Sequence, residues 1–204
     1  MSRSSAPVRR TDRKRAAILD AAVDEFRRCG YEATSMDRVA AGAGVSKRTV
    51  YNHFPSKEAL FAQILQRLWE RSTDGVEAAY RHDRPLRAQL LELVRQKLAL
   101  LNDPNFVDLA RVAIAAAIHS PDRAQAMVAR MGDREEGLGV WIRAAAADGR
   151  LRIDDPSFAS MQLQGLVKGF AFWPQVTLSQ QPLSPAQQAR VAEEAIDMFL
   201  ARYG

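Results

Sequence analysis

Between positions 47 and 53 the chain bunches side chains that suit one kind of chemistry: Lys47, Arg48, Thr49, Tyr51, Asn52 and His53. A guanidinium matches the paired acceptors on the major-groove edge of guanine, and a carboxamide matches the donor and acceptor of adenine. Ammonium and hydroxyl groups suit phosphate, which takes at least half of the hydrogen bonds in such interfaces. Arg48, Thr49 and Asn52 are therefore read as facing base edges, or else only phosphate and solvent. Tyr51 and His53 are read as packing and holding phosphate. Ser46 precedes the run as a helix cap, and the amides behind it offer an anion a seat.

Other chemistries are poorly supplied. The histidines (His53, His82, His119) are scattered, and no HExxH, GxSxG, GxGxxG or GxxxxGK[ST] pattern is present. One cysteine, Cys29, rules out an intramolecular disulfide and a Cys-rich zinc site. It reads as a small buried residue, because a redox sensor needs a resolving partner. The expectation is no catalytic residue, no metal and no cofactor.

The elements that must hold the 47–53 run are short helices. An amphipathic helix over about 11–29 has Ile18, Ala22 and Phe26 on one stripe and ends at Gly30. Thr34 is placed to cap a second helix over about 35–43, with Asp37 as its capping-box partner. Gly44 sits at the turn, and Ser46 caps a third helix over about 47–53. Pro55 stops that helix and Ser56 caps a fourth from Lys57. Ala40 is the small residue where the second and third helices cross, with Val39, Ala43, Val45 and Val50 locking them. This is a helix-turn-helix layout, whose second helix enters the major groove. A plain helical hairpin with a polar surface gives a similar pattern. Thr34, Ser35 and Lys57 sit at helix starts, where each is either a phosphate donor or a cap or surface residue.

Charge bears on that choice. Residues 1–55 hold 11 Lys+Arg against 6 Asp+Glu, whereas residues 56–204 hold 18 of each. The whole excess of +5 sits in the first quarter of the chain. That suits a polyanion bound at one end, although a solvated basic tail would carry the same charge. Residues 1–10 read as a disordered basic arm. Arg9, Arg10, Arg13 and Lys14 either enter a minor groove or add nonspecific charge, and the second reading is favoured.

The remainder reads as helix throughout: 85–101, 104–119, 121–147, 156–173 and 185–203. The last begins at a Ser184-Pro185-Ala186-Gln187 capping box. No alternating strand pattern reaches five residues, so the fold class is all-α with about nine helices. No apolar run approaches the roughly 20 residues of a membrane span, and no apolar segment follows the basic N-terminus. A soluble cytoplasmic protein with no membrane partner is expected. The basic arm lacks the apolar face of a membrane-surface helix.

Residues 11–61 resemble the DNA-binding domain of the TetR family of transcriptional regulators. The matching residues are Gly30-Tyr31, Thr34, Ala43-Gly44-Val45-Ser46, Tyr51, His53-Phe54, Lys57 and Leu60. Many members have glycine where Arg48 stands, so a five-donor fork replaces a neutral spot here. The segment Gly165–Leu178 is similar to the penultimate helix of efflux-pump and AefR-like regulators of the family. The resemblance implies a DNA-binding domain over 11–55 and a ligand-binding and dimerisation body over 56–204. It also implies a homodimer, formed through the last two long helices, on a palindromic duplex operator. Release by a small molecule and repression are implied as well.

For the body, candidate pocket residues are Phe106, Met127, Met131, Trp141, Met161, Phe170 and Trp173. Adaptable methionines beside aromatic rings suit a small apolar effector. The same residues at helical spacing also make an ordinary core. His119 is either a polar pocket group or solvent-facing. Leu166, Phe170, Met198 and Phe199 are the expected members of a two-fold interface. The fourth helix, with Leu65 and Trp69 on its inner face, is the expected lever between the body and the DNA.

Overall fold

The structure is a computed structural model that describes residues 10–74, 79–120, 122, 125 and 137–204. Among the described residues all regular structure is helical, as expected. The helices are α1 (Arg10–Ala33), α2 (Met36–Gly42), α3 (Lys47–His53), α4 (Lys57–Asp74), α5 (Leu86–Leu101), α6 (Pro104–Ile118), α7 (Gly137–Ala147), α8 (Pro156–Ala171), α9 (Trp173–Leu178) and α10 (Pro185–Tyr203). They divide into two compact units. One lies within Met1–Arg67 and Arg111–Val128, the other within Leu68–Ala110 and Ala129–Gly204. Apart from Arg10, which opens α1, the basic arm falls outside the described residues.

The first unit is built on the stripe read from the sequence. Ile18, Ala22 and Phe26 of α1 are buried with Val39 and Ala40 of α2, Val50 of α3, and Leu60, Phe61 and Ile64 of α4. Burying each large side chain is worth about 1.5–3 kcal/mol. Phe26, Tyr31 and Phe61 add a ring cluster, with centroids 5.1–5.9 Å apart. α1 runs past its expected end to Ala33 but breaks at Gly30 (φ 78, ψ 168), a conformation that favours glycine.

In the second unit α5, α7, α8 and α10 pack together, burying Leu90, Leu93, Leu98, Trp141, Ile142, Leu163, Val167, Ala192, Ile196 and Phe199. Buried Gln89 ties the approach to α5 into this core. Its Oε1 accepts from the Arg81 amide (2.8 Å) and Trp141 Nε1 (3.2 Å), and its Nε2 donates to the Arg81 and Arg84 carbonyls (2.8 and 2.9 Å). The expected 156–173 helix is divided. α8 ends at Ala171 with Phe172 as its C-cap, and α9 restarts with Pro174 in its first turn, where proline lacks the N–H to continue the ladder. The Ser184 capping box is present in full.

Candidate nucleic-acid interface

The segment 35–53 folds as two short helices whose ends are satisfied locally. Ser35 is the N-cap of α2, accepting from the Arg38 amide at 3.2 Å. α2 closes on Gly44 (φ 63) with the Gly44 amide on the Ala41 carbonyl (3.1 Å) and the Val45 amide on Ala40 (3.0 Å). That is the Schellman arrangement, which needs a left-handed residue at this position. Ser46 then caps α3, accepting from the Thr49 amide at 3.1 Å. The turn thus fixes α3 against α2 with Val50 fully buried between them.

With Val50 facing inward, the polar side of α3 faces out. Arg48, Tyr51 and Asn52 are exposed. Among the described residues, neither the Arg48 nor the Asn52 side chain has a hydrogen-bond partner within the protein. Thr49 shares a 2.8 Å hydrogen bond with Ser46. Lys47 pairs with Asp37 of α2, Nζ to Oδ1 at 2.8 Å, and this pairing raises its pKa. The pair is exposed, so it is weak and screened, and another anion can exchange for the carboxylate. Asp37 therefore serves Lys47 rather than a capping box. A cleft of about 440 Å³ is lined by Thr49, Asn52 and His53 from α3 and by Thr11 and Lys14 from α1. Thr11 did not stand out in the sequence. The signal available was a polar pair three residues apart on one face of α1.

Two expected residues are placed differently. Thr34 does not cap α2, because Ser35 does. Thr34 is 5% exposed and its hydroxyl donates to the Gly30 carbonyl at 2.7 Å. Gly30 breaks α1 and leaves carbonyls at its end that nearby side chains reach. Lys57 is the other case: its ammonium donates to the carbonyls of Tyr31 (2.8 Å), Glu32 (3.0 Å) and Thr34 (3.4 Å). Beside it the Tyr31 hydroxyl donates to Glu58 Oε1 at 3.1 Å, and Glu58 lies below its usual pKa because backbone N–H, Ser56 and Tyr31 donate to it. Arg38 of α2 donates to the Ala33 carbonyl (2.6 Å) and pairs with Glu25 of α1 (2.6 Å). Glu25 is buried and held below its usual pKa by its hydrogen bond from Arg28, helped by Cys29 and Arg38. Cys29 is half-buried, its thiol on the Glu25 carbonyl at 3.1 Å.

Comparison with known proteins bears directly on this layout. Residues 18–64 match the family model for bacterial regulatory proteins of the tetR family. Residues 88–204, more than half of the chain, match the C-terminal domain of AefR-like transcriptional repressors. The chain belongs to the TetR family of regulators. A TetR family transcriptional regulator from Pseudomonas syringae pv. tomato str. DC3000 is 53% identical, with TM-score 0.86 over 94% of this chain and 97% of that one. The flavonoid-responsive regulator FrrA is 29% identical, with TM-score 0.69 over 94% and 97%. The HTH-type transcriptional regulator RutR of Escherichia coli (strain K12) is 37% identical over 90 residues, 44% of this chain and 42% of RutR. The chain thus matches less than half the length of that curated relative. The Pseudomonas protein and RutR are transcriptional regulators, and this chain is a TetR-family regulator with a DNA-binding domain, not an enzyme.

The TetR-type body places its candidates less uniformly. Phe106 and Trp141 are buried, but Met161 (64% exposed), Phe170 (61%) and Trp173 (47%) lie on the surface. Met127 and Met131 lie outside the described residues, as does the side chain of Trp69. Of the expected interface residues, Phe170 and Met198 (59%) are exposed and Leu166 is half-buried. Phe199 is 3% exposed and packs on the Tyr203 ring at 5.0 Å, so it belongs to the protomer's own core. No described helix is long and apolar enough to cross a membrane.

Proposed function

We propose that this TetR-family regulator is a repressor that binds a palindromic duplex operator as a homodimer and is released by a small apolar effector. The carrying observation is the outward face of α3. Arg48 and Asn52 are exposed on a capped helix and are not engaged by the protein itself. In this reading they contact base edges, Arg48 toward guanine and Asn52 toward adenine. Ser35, Ser46, Lys47, Thr49, Tyr51 and His53 hold the flanking phosphates, with Lys47 exchanging Asp37 for phosphate. Thr11 and Lys14 hold phosphate across the cleft. The basic arm adds nonspecific charge.

The body over 56–204 dimerises and holds the effector. Phe170 and Met198 leave large apolar surface on α8 and α10, and in a two-fold assembly such a patch meets its own copy. In this reading the buried aromatic side chains Phe106 and Trp141 line the effector site. The flavonoid response of FrrA is consistent with an aromatic-tolerant pocket. For release, the effector must favour the geometry that cannot span the operator, with a coupling of about 1–3 kcal/mol that is reciprocal. α4 starts beside α3 in the chain and ends in the second unit, which makes it the lever. The test is selection of bound duplexes from a random pool, followed by titration with effector candidates found by thermal shift. Palindromes bound by two protomers, and weakened by an apolar hit, are the expected result.

A further inference from the structure

Lysine at the start of α4 invites assignment to a phosphate, but its surroundings argue for another role. An ammonium has three N–H donors and no acceptor. Lys57 directs its ammonium at three carbonyl oxygens, those of Tyr31, Glu32 and Thr34, at 2.8, 3.0 and 3.4 Å. It also lies over the Tyr31 ring, 4.6 Å from its centroid. The carbonyls converge because α1 breaks at Gly30, and the five carbonyls from Gly30 to Thr34 are all taken by side chains. Thr34 takes Gly30, Lys57 takes Tyr31, Glu32 and Thr34, and Arg38 takes Ala33. Arg38 brings α2 to this joint and Lys57 brings α4. A phosphate would have to draw the ammonium away from three oxygens at once, giving up its hydrogen bonds to the part-buried Tyr31 and Thr34 carbonyls.

We propose that Lys57 is a positioning residue: it joins α4 to the end of α1 and so fixes the direction in which α4 leaves the helix-turn-helix unit. Resting on the dimer reading above, this makes Lys57 a determinant of half-site spacing rather than of phosphate affinity. Without the joint, α4 and α1 shift against each other. The two recognition helices of a dimer then tolerate a wider range of separations.

Two measurements test it. The first compares wild type, Lys57→Met and Lys14→Ala on selected operators with the half-sites at their native separation and one base pair further apart. Lys57→Met, which keeps length and loses the donors, should narrow a wild-type preference of about tenfold to within about threefold and leave the salt slope unchanged. Lys14→Ala should keep the spacing preference and lower the slope by about one. Lys57→Met behaving like Lys14→Ala, or changing neither quantity, would overturn the proposal. The second maps acylation of wild-type lysines by an amine-reactive ester, and is independent of whether the variant folds or duplex binds. Lys57 should react far more slowly than Lys47 in the free protein, and Lys47 should become protected on DNA. Equal reactivity of Lys57 and Lys47 in the free protein would overturn the joint even if no operator were found, whereas failure of wild type to bind any duplex would sink only the operator reading.

Discussion

At the scale of single residues, α3 divides its work between groups the protein already uses and groups it leaves open. Arg48 and Asn52 are open, so each substitution to alanine should remove discrimination at particular base pairs, costing about 1–3 kcal/mol there. Binding to a panel of single-base operator variants reads this directly. Uniform weakening across the panel would mean that they touch only the backbone. Glu25 makes a different prediction, about pH. Its folded pKa lies below the usual 4.5, chiefly through the Arg28 hydrogen bond. A carboxylate lowered in this way stabilises fully above its unfolded pKa and loses that contribution as pH falls through the folded value. The stability gap between wild type and Glu25→Gln should therefore be widest above about pH 4.5 and close on acidification. Urea midpoints measured across that range would show it, and a gap that widened toward acid would contradict the assignment. The exposed cations were legible in the sequence because type and spacing suffice for them. The roles of Thr34 and Lys57 were not, because both depend on carbonyls that converge only once α1 breaks and α4 packs beside it.

Elements are where the sequence spoke most clearly, since caps are local. Ser46, Ser56 and Ser184 each accept the amide expected of a cap. α3 has only seven residues, too few to be helical alone, so its cap and turn decide its population. Ser46→Ala should cost about 1 kcal/mol. At Gly44 a Cβ would meet nothing within 4 Å, so alanine there is penalised for backbone strain alone, roughly 1–2 kcal/mol. Denaturant midpoints check both, and a neutral Gly44→Ala would mean the turn does not hold φ 63 in solution. Periodicity was less decisive further along. Met198 and Phe199 are adjacent in the last helix and so fall on neighbouring stripes. Periodicity could not say which stripe meets α5 and α8 and which stays outside. It also ran through Phe172, because an apolar stripe does not register a proline two residues later that restarts the helix.

For the whole molecule, burial separates folding from assembly. Phe199→Asp puts a charge into the protomer core and should prevent folding. Phe170→Asp and Met198→Asp alter exposed positions and should leave a folded monomer that has lost its specific complex. Sedimentation with circular dichroism distinguishes the outcomes, and a double variant that stayed dimeric would place the two-fold interface elsewhere. Leu65→Ala, on the buried side of α4, should reduce the ratio of operator affinities with and without effector more than it reduces operator affinity itself. The family was legible in the residues of the first quarter of the chain, and the helical class along its whole length. The effector was not, because a pocket lining and a core draw on the same residue types. The central claim is that two copies of this chain read a palindrome through α3, and its most direct measurement is the stoichiometry and footprint of the complex on duplexes selected from a random pool. Two protomers per site are predicted, protecting two inverted half-sites about one helical turn apart or a multiple of it, with Arg48→Ala shifting the preferred base within each half. A single protomer on an asymmetric site, unaffected by Arg48→Ala, would contradict the account.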